Sequence, residues 1–442
     1  MTIRTFLRKI LGPTHPLRMM WYKAKGIVAA ILYNFPARYL FSIGVTGTNG
    51  KTTTVHFIES ILRSAGKKVA MVSTVEFKID GRSEPNDSKL TTMSPFQTQK
   101  FLKRCLKERI ETVVIECSSH AIHQGRLFGI DFNVAALTNI THEHLDYHRT
   151  MEEYKNAKKL LFDSVSKVVH KRRLSTGEPW LSDGEIILNA EDQYFNDFMS
   201  IQAPKKISYG LAHGDIQAAE ISHQKEGINF TLIYEKNREP IFLHRPGTFN
   251  VQNALTATGV GLACGLSIPE IKKGLEALQF VPGRQEFFKS SRGFEVVVDF
   301  ALTPDALEKL YDNLRKMGHK RIIGIIGSCG DRDKEKRPLM GRIVAEKTDL
   351  TIVTDEEPYT EDPKVIMEAV MKGARESAKK EGENLFLIED RYAAIEFAVQ
   401  KAIHGDLIVV TGMGAFTTRT MNSGSIPWDE REVVKEIIAK NE

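Results

Sequence analysis

The sequence is short of several things. Its 442 residues hold four cysteines, Cys105, Cys117, Cys264 and Cys329. They are too scattered for a disulfide framework or a metal-ligand spacing, so they read as free thiols of a reducing cytosol. No apolar run approaches the roughly 20 residues that a membrane-spanning helix needs. A surplus of one charge is missing too. The 61 Lys and Arg against 56 Asp and Glu leave a net charge of +5, too mild to argue for nucleic acid, and no nucleic-acid motif is present. Internal repeats and low-complexity segments are not evident. At 42% hydrophobic and 26% charged residues, what remains is a globular chain too long for one ordinary core, so two or three domains are expected.

One absence is local. No acidic residue occurs before Glu59, whereas Arg4, Arg8, Lys9, Arg18, Lys23, Lys25 and Arg38 are basic and are interleaved with Phe6, Leu7, Met19, Met20, Trp21, Tyr22 and the apolar run from Ile27. Residues 1–40 therefore form a short basic amphipathic segment. One reading is peripheral contact with an anionic membrane through residues 1–38. The other is a helical hairpin packed on the first domain with its basic face solvated. A secretory signal is disfavoured, since no small-residue cleavage site follows Ile27–Phe35.

What is present begins at Thr46-Gly47-Thr48-Asn49-Gly50-Lys51-Thr52-Thr53. An apolar run, Phe41 to Val45, precedes it as a buried strand, and the apolar spacing from Val55 to Leu62 reads as a helix. Strand, Gly-rich loop and helix make the context of a phosphate-binding loop. The backbone N–H groups of Gly47 to Thr53 would close around phosphate oxygens, Lys51 would reach the outer phosphates, and the Thr52 hydroxyl would ligate Mg²⁺. ATP and Mg²⁺ are thus the expected cofactors. The generic pattern wants a glycine where Val45 stands, so the match is to a shorter form, G-x-x-G-K-T.

From residue 41 strand and helix alternate, and the fold class is α/β. The expected layout is a central parallel-sheet ATPase-like domain over 41–282 and a C-terminal doubly wound, Rossmann-like domain over 283–442. Strands are expected at Phe41–Thr46, Lys68–Val72, Thr112–Glu116 and Val134–Thr138, and 170–185 reads as a loop. Ile216–Ile221, Ile228–Tyr234 and Ile241–Leu243 suggest a small antiparallel insertion. Val281-Pro282-Gly283-Arg284 reads as a linker.

Further motifs follow in order: Glu116-Cys117-Ser118-Ser119-His120, Thr138-Asn139-Ile140, His142-Glu143-His144-Leu145-Asp146-Tyr147-His148, Tyr154-Lys155-Asn156-Ala157-Lys158, Phe249-Asn250-Val251-Gln252-Asn253, Pro282-Gly283-Arg284, Asp299-Phe300-Ala301-Leu302-Thr303-Pro304 and Gly330-Asp331-Arg332-Asp333-Lys334. Together with the loop they resemble the Mur ligase family over about residues 41–440. Within it the likeness is to members that add the third residue of the peptidoglycan stem peptide.

The resemblance implies an ATP-dependent, ADP-forming amide ligase acting through an acyl phosphate. It implies that Glu116, His144 and Lys158 hold metal with Thr52, Lys158 as a carbamate, since a bare ammonium is no Mg²⁺ ligand. Without the resemblance Lys158 reads as a solvated helix lysine. It further implies that Asn250 and Asn253 read an adenine edge, Asp299 binds ribose, and Arg284 approaches the phosphates. Thr91, Thr92, Ser118, Gln124 and Arg126 would hold a muramoyl-peptide acceptor. The expected partners are an amino acid and a carboxylate acceptor, with no nucleic acid, in the cytoplasm or at the inner face of the membrane.

The sequence departs from the family pattern in three places. Only about 40 residues precede the loop, too few for the family's uridine-nucleotide domain, so the acceptor is expected to be held differently or to be lipid-linked. Where diaminopimelate-adding members carry Asp-Asn-Pro-Arg, this chain has Asp355-Glu356-Glu357-Pro358-Tyr359. Loss of that Arg disfavours diaminopimelate, and the acids at 355 to 357, with Asp355 and Glu357 as the candidate substrate contacts, would favour an amine-bearing side chain such as lysine. The family's Gly-Lys-Gly-His-Glu reads Gly412-Met413-Gly414-Ala415-Phe416. Two alternatives stay open: a ligase resembling folylpolyglutamate or cyanophycin synthetases with a different acceptor, and a non-catalytic ATP-binding scaffold at the membrane.

Overall fold

The computed structural model describes residues 14–165, 184–224 and 227–442, with Gly12, Lys171 and Thr176. Residues 1–11 of the basic segment and most of the polar stretch 170–185 lie outside the described residues. The chain forms two compact units. The first takes the chain up to Ser222, then Asn229–Leu243 and Phe249–Leu278; the second takes His223–Ile228, His244–Thr248 and Gln279–Glu442.

The strands of the first large sheet are β1 (Phe41–Thr46), β2 (Val69–Val72), β3 (Glu76–Ile79), β4 (Arg82–Pro85), β5 (Thr112–Glu116), β6 (Val134–Leu137), β7 (Glu185–Asn189), β8 (Lys205–Tyr209), β9 (Ile216–Gln224), β10 (Gly227–Tyr234) and β11 (Asn237–Leu243). They lie in the order β11-β10-β9-β8-β7-β6-β1-β5-β2-β3-β4. The three expected insertion strands are therefore not a separate sheet but one edge of this one. The centre is parallel: β1 pairs with β5 and β6, and β5 with β2. All six residues of β1 are buried, as both faces of a parallel sheet are covered by helices.

The main helices described in this unit are α1 (Pro16–Leu32), α2 (Lys51–Ser64), α3 (Pro95–Lys107), α4 (Ser119–His123), α5 (Met151–Val165), α6 (Thr248–Ala263) and α7 (Ile268–Ala277), with shorter ones at Leu145–His148 and Phe195–Met199. Their starts are written locally. Ser94 and Ser267 form capping boxes with Gln97 and Glu270, each followed by a proline in the first turn, which satisfies the free N–H groups of the helix ends. Beneath one face of the sheet, Leu102, Val113, Phe132, Leu137, Tyr154, Leu161 and Phe162 share a core. The described part of the first segment holds α1, and the hairpin expected over residues 1–40 would involve residues outside those described. α1 packs through Met19, Gly26, Ala29 and Ala30, and Gly26 lies so close to the Gly125 carbonyl that a Cβ there would meet it at 2.3 Å.

The second unit holds β12 (Glu286–Lys289), β13 (Glu295–Asp299), β14 (Ile322–Ile326), β15 (Leu350–Val353), β16 (Leu385–Leu387) and β17 (Leu407–Thr411), in the order β12-β13-β17-β14-β15-β16. All pairs are parallel except β12–β13. Helices α8 (Pro304–Arg315), α9 (Lys336–Lys347), α10 (Pro363–Arg375), α11 (Arg391–Lys401) and α12 (Glu430–Lys440) accompany it, and β18 (Thr418–Met421) and β19 (Gly424–Pro427) form a separate hairpin. Among the described residues, no helix is long and apolar enough to cross a membrane.

Lys171 ties its segment to the bottom of the first sheet. Its buried ammonium donates to the Leu40 carbonyl, the Ser42 hydroxyl and the Asn133 amide oxygen, each at 3.0 Å. Burial draws its pKa down to about 7 from an ordinary 10.5. Between those values the unfolded chain binds one proton more than the folded one, so Lys171 makes stability rise with pH across about 7 to 10.5 and adds no slope below. Denaturant titrations at pH 7 and 9.5 are expected to show a larger gain in the wild type than in Lys171→Met. Parallel pH dependences would contradict the buried, deprotonating amine.

Candidate active site

Three loops leave the C-terminal ends of the adjacent strands β6, β1 and β5, so residues far apart in sequence emerge side by side. The register sets Val45 of β1 opposite Glu116 of β5, and Thr46 opposite Leu137 of β6. The loop from Gly47 to Gly50 is held by its neighbours. Thr48 N–H donates to the Asn139 carbonyl at 2.7 Å, Asn49 N–H to the Asn139 side-chain oxygen at 3.0 Å, and Thr138 Oγ1 to the Asn49 carbonyl at 2.7 Å. The Thr48 hydroxyl meets Tyr154 Oη at 3.0 Å, and Lys51 Nζ donates to the Thr48 carbonyl at 2.7 Å. Gly50 has φ +85°, and a Cβ there would fall 2.2 Å from Asn253 Oδ1. Only glycine combines that backbone with that approach.

Thr52 opens α2, and its hydroxyl donates to both Glu116 oxygens at 3.1 Å. Glu116 is buried at 1% exposure and accepts a third bond, from Thr74 N–H at 2.7 Å. A hydroxyl and a buried carboxylate converging beside a phosphate loop form an all-oxygen donor set, which suits Mg²⁺. Thr53 is buried in the same first turn. Lys158, on α5, is fully buried and donates to the Gly47 carbonyl at 2.7 Å. Burial first, then the nearby Lys51 charge, push its amine well below the usual lysine range. The neutral amine so favoured is the form that reacts with CO₂.

The three histidines of the 142–148 stretch differ. His148 is buried, with Nε2 3.0 Å from Ser119 Oγ, while His142 is exposed. His144 has a left-handed backbone, φ +59°, and its ring stands edge-on to His120 at 4.7 Å. Burial, then the neighbouring histidines, draw His120 down to about 2, and His148 is drawn to about 3. These two rings, His120 and His148, favour the neutral form at physiological pH.

Asn250 and Asn253 face inward, at 1% and 5% exposure. Asn253 Nδ2 donates to Asn250 Oδ1 at 3.3 Å and its oxygen accepts from Thr54 at 3.4 Å. The Asn253 amide thus braces the first turn of α2 beside Gly50.

A second strip of bonds leads away from Glu116. Thr92, beside half-buried Thr91, donates to the Glu116 carbonyl at 2.8 Å and accepts from Ser118 N–H at 3.0 Å. Arg126 donates to the Thr92 carbonyl at 3.1 Å and twice to Gln124 Oε1, at 2.9 and 2.7 Å. Gln124 in turn donates to Tyr147 Oη at 3.2 Å. The hydrogen bonds of the Arg126 guanidinium, partly buried, thus go to neutral oxygens.

The second unit carries its own cluster. Asp299, at the end of β13, is buried and accepts from Gln285 N–H at 2.8 Å, and burial raises its carboxyl. Arg284 lies 4.5 Å over the Phe300 ring. Arg245, also buried, donates to the Arg284 carbonyl. After β15, Asp355 pairs with Arg419 at 2.9 Å, and Glu357 accepts from Thr420 N–H at 2.8 Å. Glu356 accepts from Cys329 Sγ at 3.0 Å, and its other oxygen is buried without a hydrogen-bond partner among the described residues. Burial raises both Asp355 and Glu356. The structure thus gives Asp355 an internal partner and presents Glu356, the middle acid of the 355–357 run, as the carboxylate with an unpartnered oxygen among the described residues. Thr74, Asn139, Tyr154 and Arg419 were missed in the sequence. Asn139 and Tyr154 lie inside quoted motifs; Thr74 contributes only a backbone N–H and Arg419 acts from 64 residues away, so neither leaves a local signal.

Two family models match the chain: the Mur ligase middle domain over residues 45–261, and the glutamate ligase domain of Mur ligases over 283–414. The UDP-N-acetylmuramoyl-L-alanyl-D-glutamate–2,6-diaminopimelate ligase of Geobacillus thermodenitrificans is 37% identical over 415 residues, covering 93% of this chain and 82% of that protein. The enzyme of the same name from Clostridium botulinum is 34% identical over 419 residues, covering 94% and 81%. Among solved structures, a ligase of that name superposes with a TM-score of 0.60 at 28% identity, covering 91% of this chain and 79% of that one. Folylpolyglutamate synthase of Mycobacterium tuberculosis, solved with ADP, shares the fold with a TM-score of 0.71 at 17% identity, covering 93% and 94%. The chain therefore belongs to the Mur ligase family, ATP- and Mg²⁺-dependent ligases that form amide bonds.

Proposed function

We propose that this ligase adds an amino acid bearing a side-chain amine to the terminal carboxylate of a muramoyl-peptide acceptor, in the cytoplasmic synthesis of a peptidoglycan-type precursor. The observation that carries the acceptor assignment is Arg126. A partly buried guanidinium whose hydrogen bonds go to neutral oxygens is stabilised by an incoming carboxylate. Thr91, Thr92, Ser118 and Gln124 line the same strip, which leads back to Glu116.

ATP supplies the phosphoryl group that turns the acceptor carboxylate into an acyl phosphate with loss of ADP, and Mg²⁺ offsets the charge that gathers there. Gly47, Thr48, Asn49, Gly50 and Thr53 shape the cradle, with Asn250 and Asn253 bracing it. Lys51 holds a positive charge at the transferring group. Thr52, Glu116, His144 and a carbamylated Lys158 are the oxygen and nitrogen donors for metal. The neutral Lys158 amine adds to CO₂ through its nitrogen lone pair and releases one proton, which leaves an anionic carbamate. In the second unit, Arg284 and Asp299 are assigned to phosphate and ribose. The amine of the incoming amino acid then attacks the acyl carbon and phosphate departs.

For the choice of amino acid, four carboxylates (Asp355, Glu356, Glu357 and Glu430) stand among two guanidiniums, Arg391 and Arg419. That surplus of negative charge, with the open Glu356 oxygen, favours a cationic side chain. Tyr359 in place of an arginine leaves a distal carboxylate without its partner, although the relatives named above act on diaminopimelate. A second reading concerns α1. Leu17, Met20, Trp21, Val28, Ile31 and Leu32 are exposed, between 54% and 69%, beside Arg18, Lys23 and Lys25. This supports peripheral contact with an anionic bilayer and a lipid-linked acceptor.

Three outcomes are expected. ADP release with a muramoyl-dipeptide acceptor should respond to lysine or ornithine and not to diaminopimelate; a preference for diaminopimelate would reverse the assignment of the acidic cluster. Lys158→Ala should lose activity and regain much of it with added short carboxylates, and absence of rescue would remove the carbamate. Flotation with vesicles containing anionic lipid should carry the wild type and leave behind Trp21→Ser combined with Ile31→Ser, whereas equal partitioning of both proteins would end the membrane reading.

A further inference from the structure

His56 and Glu76 lie below the site, and the machinery assigned above makes no use of them. His56, on the second turn of α2, has no exposed surface, and Glu76, the first residue of β3, is 7% exposed. The two ring nitrogens face different groups. Nε2 is 2.8 Å from Glu76 Oε1, and Nδ1 is 2.7 Å from the Thr52 carbonyl oxygen. With a partner at each nitrogen, the ring is fixed at its two ends. Burial alone would raise the Glu76 carboxyl, but the His56 hydrogen bond and charge, with Lys78 and Ser83, bring it down to about 2. Lys78 Nζ lies 2.9 Å away, and Ser83 Oγ donates to the second oxygen.

Glu76 also closes the turn that carries Thr74. Ser73 N–H and Oγ both donate to the Glu76 carbonyl, at 3.0 and 2.9 Å, and Glu76 N–H returns to Ser73 Oγ at 3.2 Å. Thr74, inside this turn, is the backbone donor to Glu116. A closed circuit results: Thr52 hydroxyl to Glu116, Glu116 to Thr74 N–H, the turn to Glu76, Glu76 to His56, and His56 back to the Thr52 carbonyl. Breaking the Glu76–His56 link leaves the turn joined to the first turn of α2 only through Glu116 itself, and the carboxylate loses a fixed frame.

We propose that the buried His56–Glu76 pair is the positioning element of the metal–phosphate site, locking the β2–β3 turn onto the first turn of α2 and so fixing Glu116 between Thr52 and Thr74. The proposal rests on the assignment of Thr52 and Glu116 as metal donors. The pair acts through Glu116 and touches no reacting atom. Partners that orient metal donors typically change metal affinity by about 10–100-fold when removed, which is the scale expected here.

Binding of Mn²⁺ in the presence of ADP, followed by electron paramagnetic resonance, reads metal affinity without turnover. Glu76→Gln and His56→Gln should each raise the Mn²⁺ dissociation constant about tenfold or more, with ADP binding in the absence of metal unchanged. The double variant His56→Leu with Glu76→Leu replaces both partners by apolar groups and should keep the core folded while showing the same loss. Wild-type Mn²⁺ affinity in the folded variants, whatever their thermal midpoints, would overturn the proposal and leave the pair a core contact. Glu116→Gln separates the two levels. Retained Mn²⁺ binding in that variant would overturn the donor assignment and the positioning role with it. Loss there, beside wild-type affinity in Glu76→Gln, would overturn the positioning role alone.

Discussion

The bond from the Thr52 hydroxyl to Glu116 is the interaction around which the first unit is organised. A carboxylate at 1% exposure is costly unless its oxygens are satisfied. Two donors reach it, the Thr52 hydroxyl from α2 and the Thr74 N–H from the turn after β2. To bring those donors together, β2, β5 and β1 must be neighbours in parallel register, and the glycine loop must lead directly from β1 into α2. Strand order, loop length and helix start are conditions for one buried negative charge.

That charge also explains how residues some 110 positions apart share a site. The loops after β1, β5 and β6 lie side by side because the sheet places the three strands adjacently. Lys158 comes under the loop because α5 follows β6 and covers the same face. Its burial, and then the Lys51 charge beside it, both disfavour the ammonium form of Lys158.

Where the sequence carried a strong local pattern, it located elements closely. β1 and β5 run over the expected residues because each is a mostly apolar run at the centre of a parallel sheet. The β3–β4 and β18–β19 hairpins were not legible. Glu76-Phe-Lys-Ile, Arg82-Ser-Glu-Pro and Thr418-Arg-Thr-Met are short, polar strands whose pairing depends on tertiary neighbours. The same division holds in the site. Lys51, Thr52 and Glu116 could be read from residue type and context. Lys158 could be read only through the family resemblance, since a lysine in a helix ordinarily faces water. Asn250 and Asn253 suited an adenine edge by chemistry, whereas the close approach of Asn253 to Gly50 left no local signal. Asp355 looked available to a ligand because its partner, Arg419, lies on a hairpin 64 residues on.

The contact of Gly26 with the Gly125 carbonyl joins two backbones with no side chain between them. Gly125 sits between Gln124 and Arg126, the residues assigned to the acceptor carboxylate. The outer face of α1 is therefore separated from those residues by the width of one helix, about 10 Å. A body seated on α1 would have its distance from the acceptor carboxylate set by that width, with no compressible layer to absorb a difference.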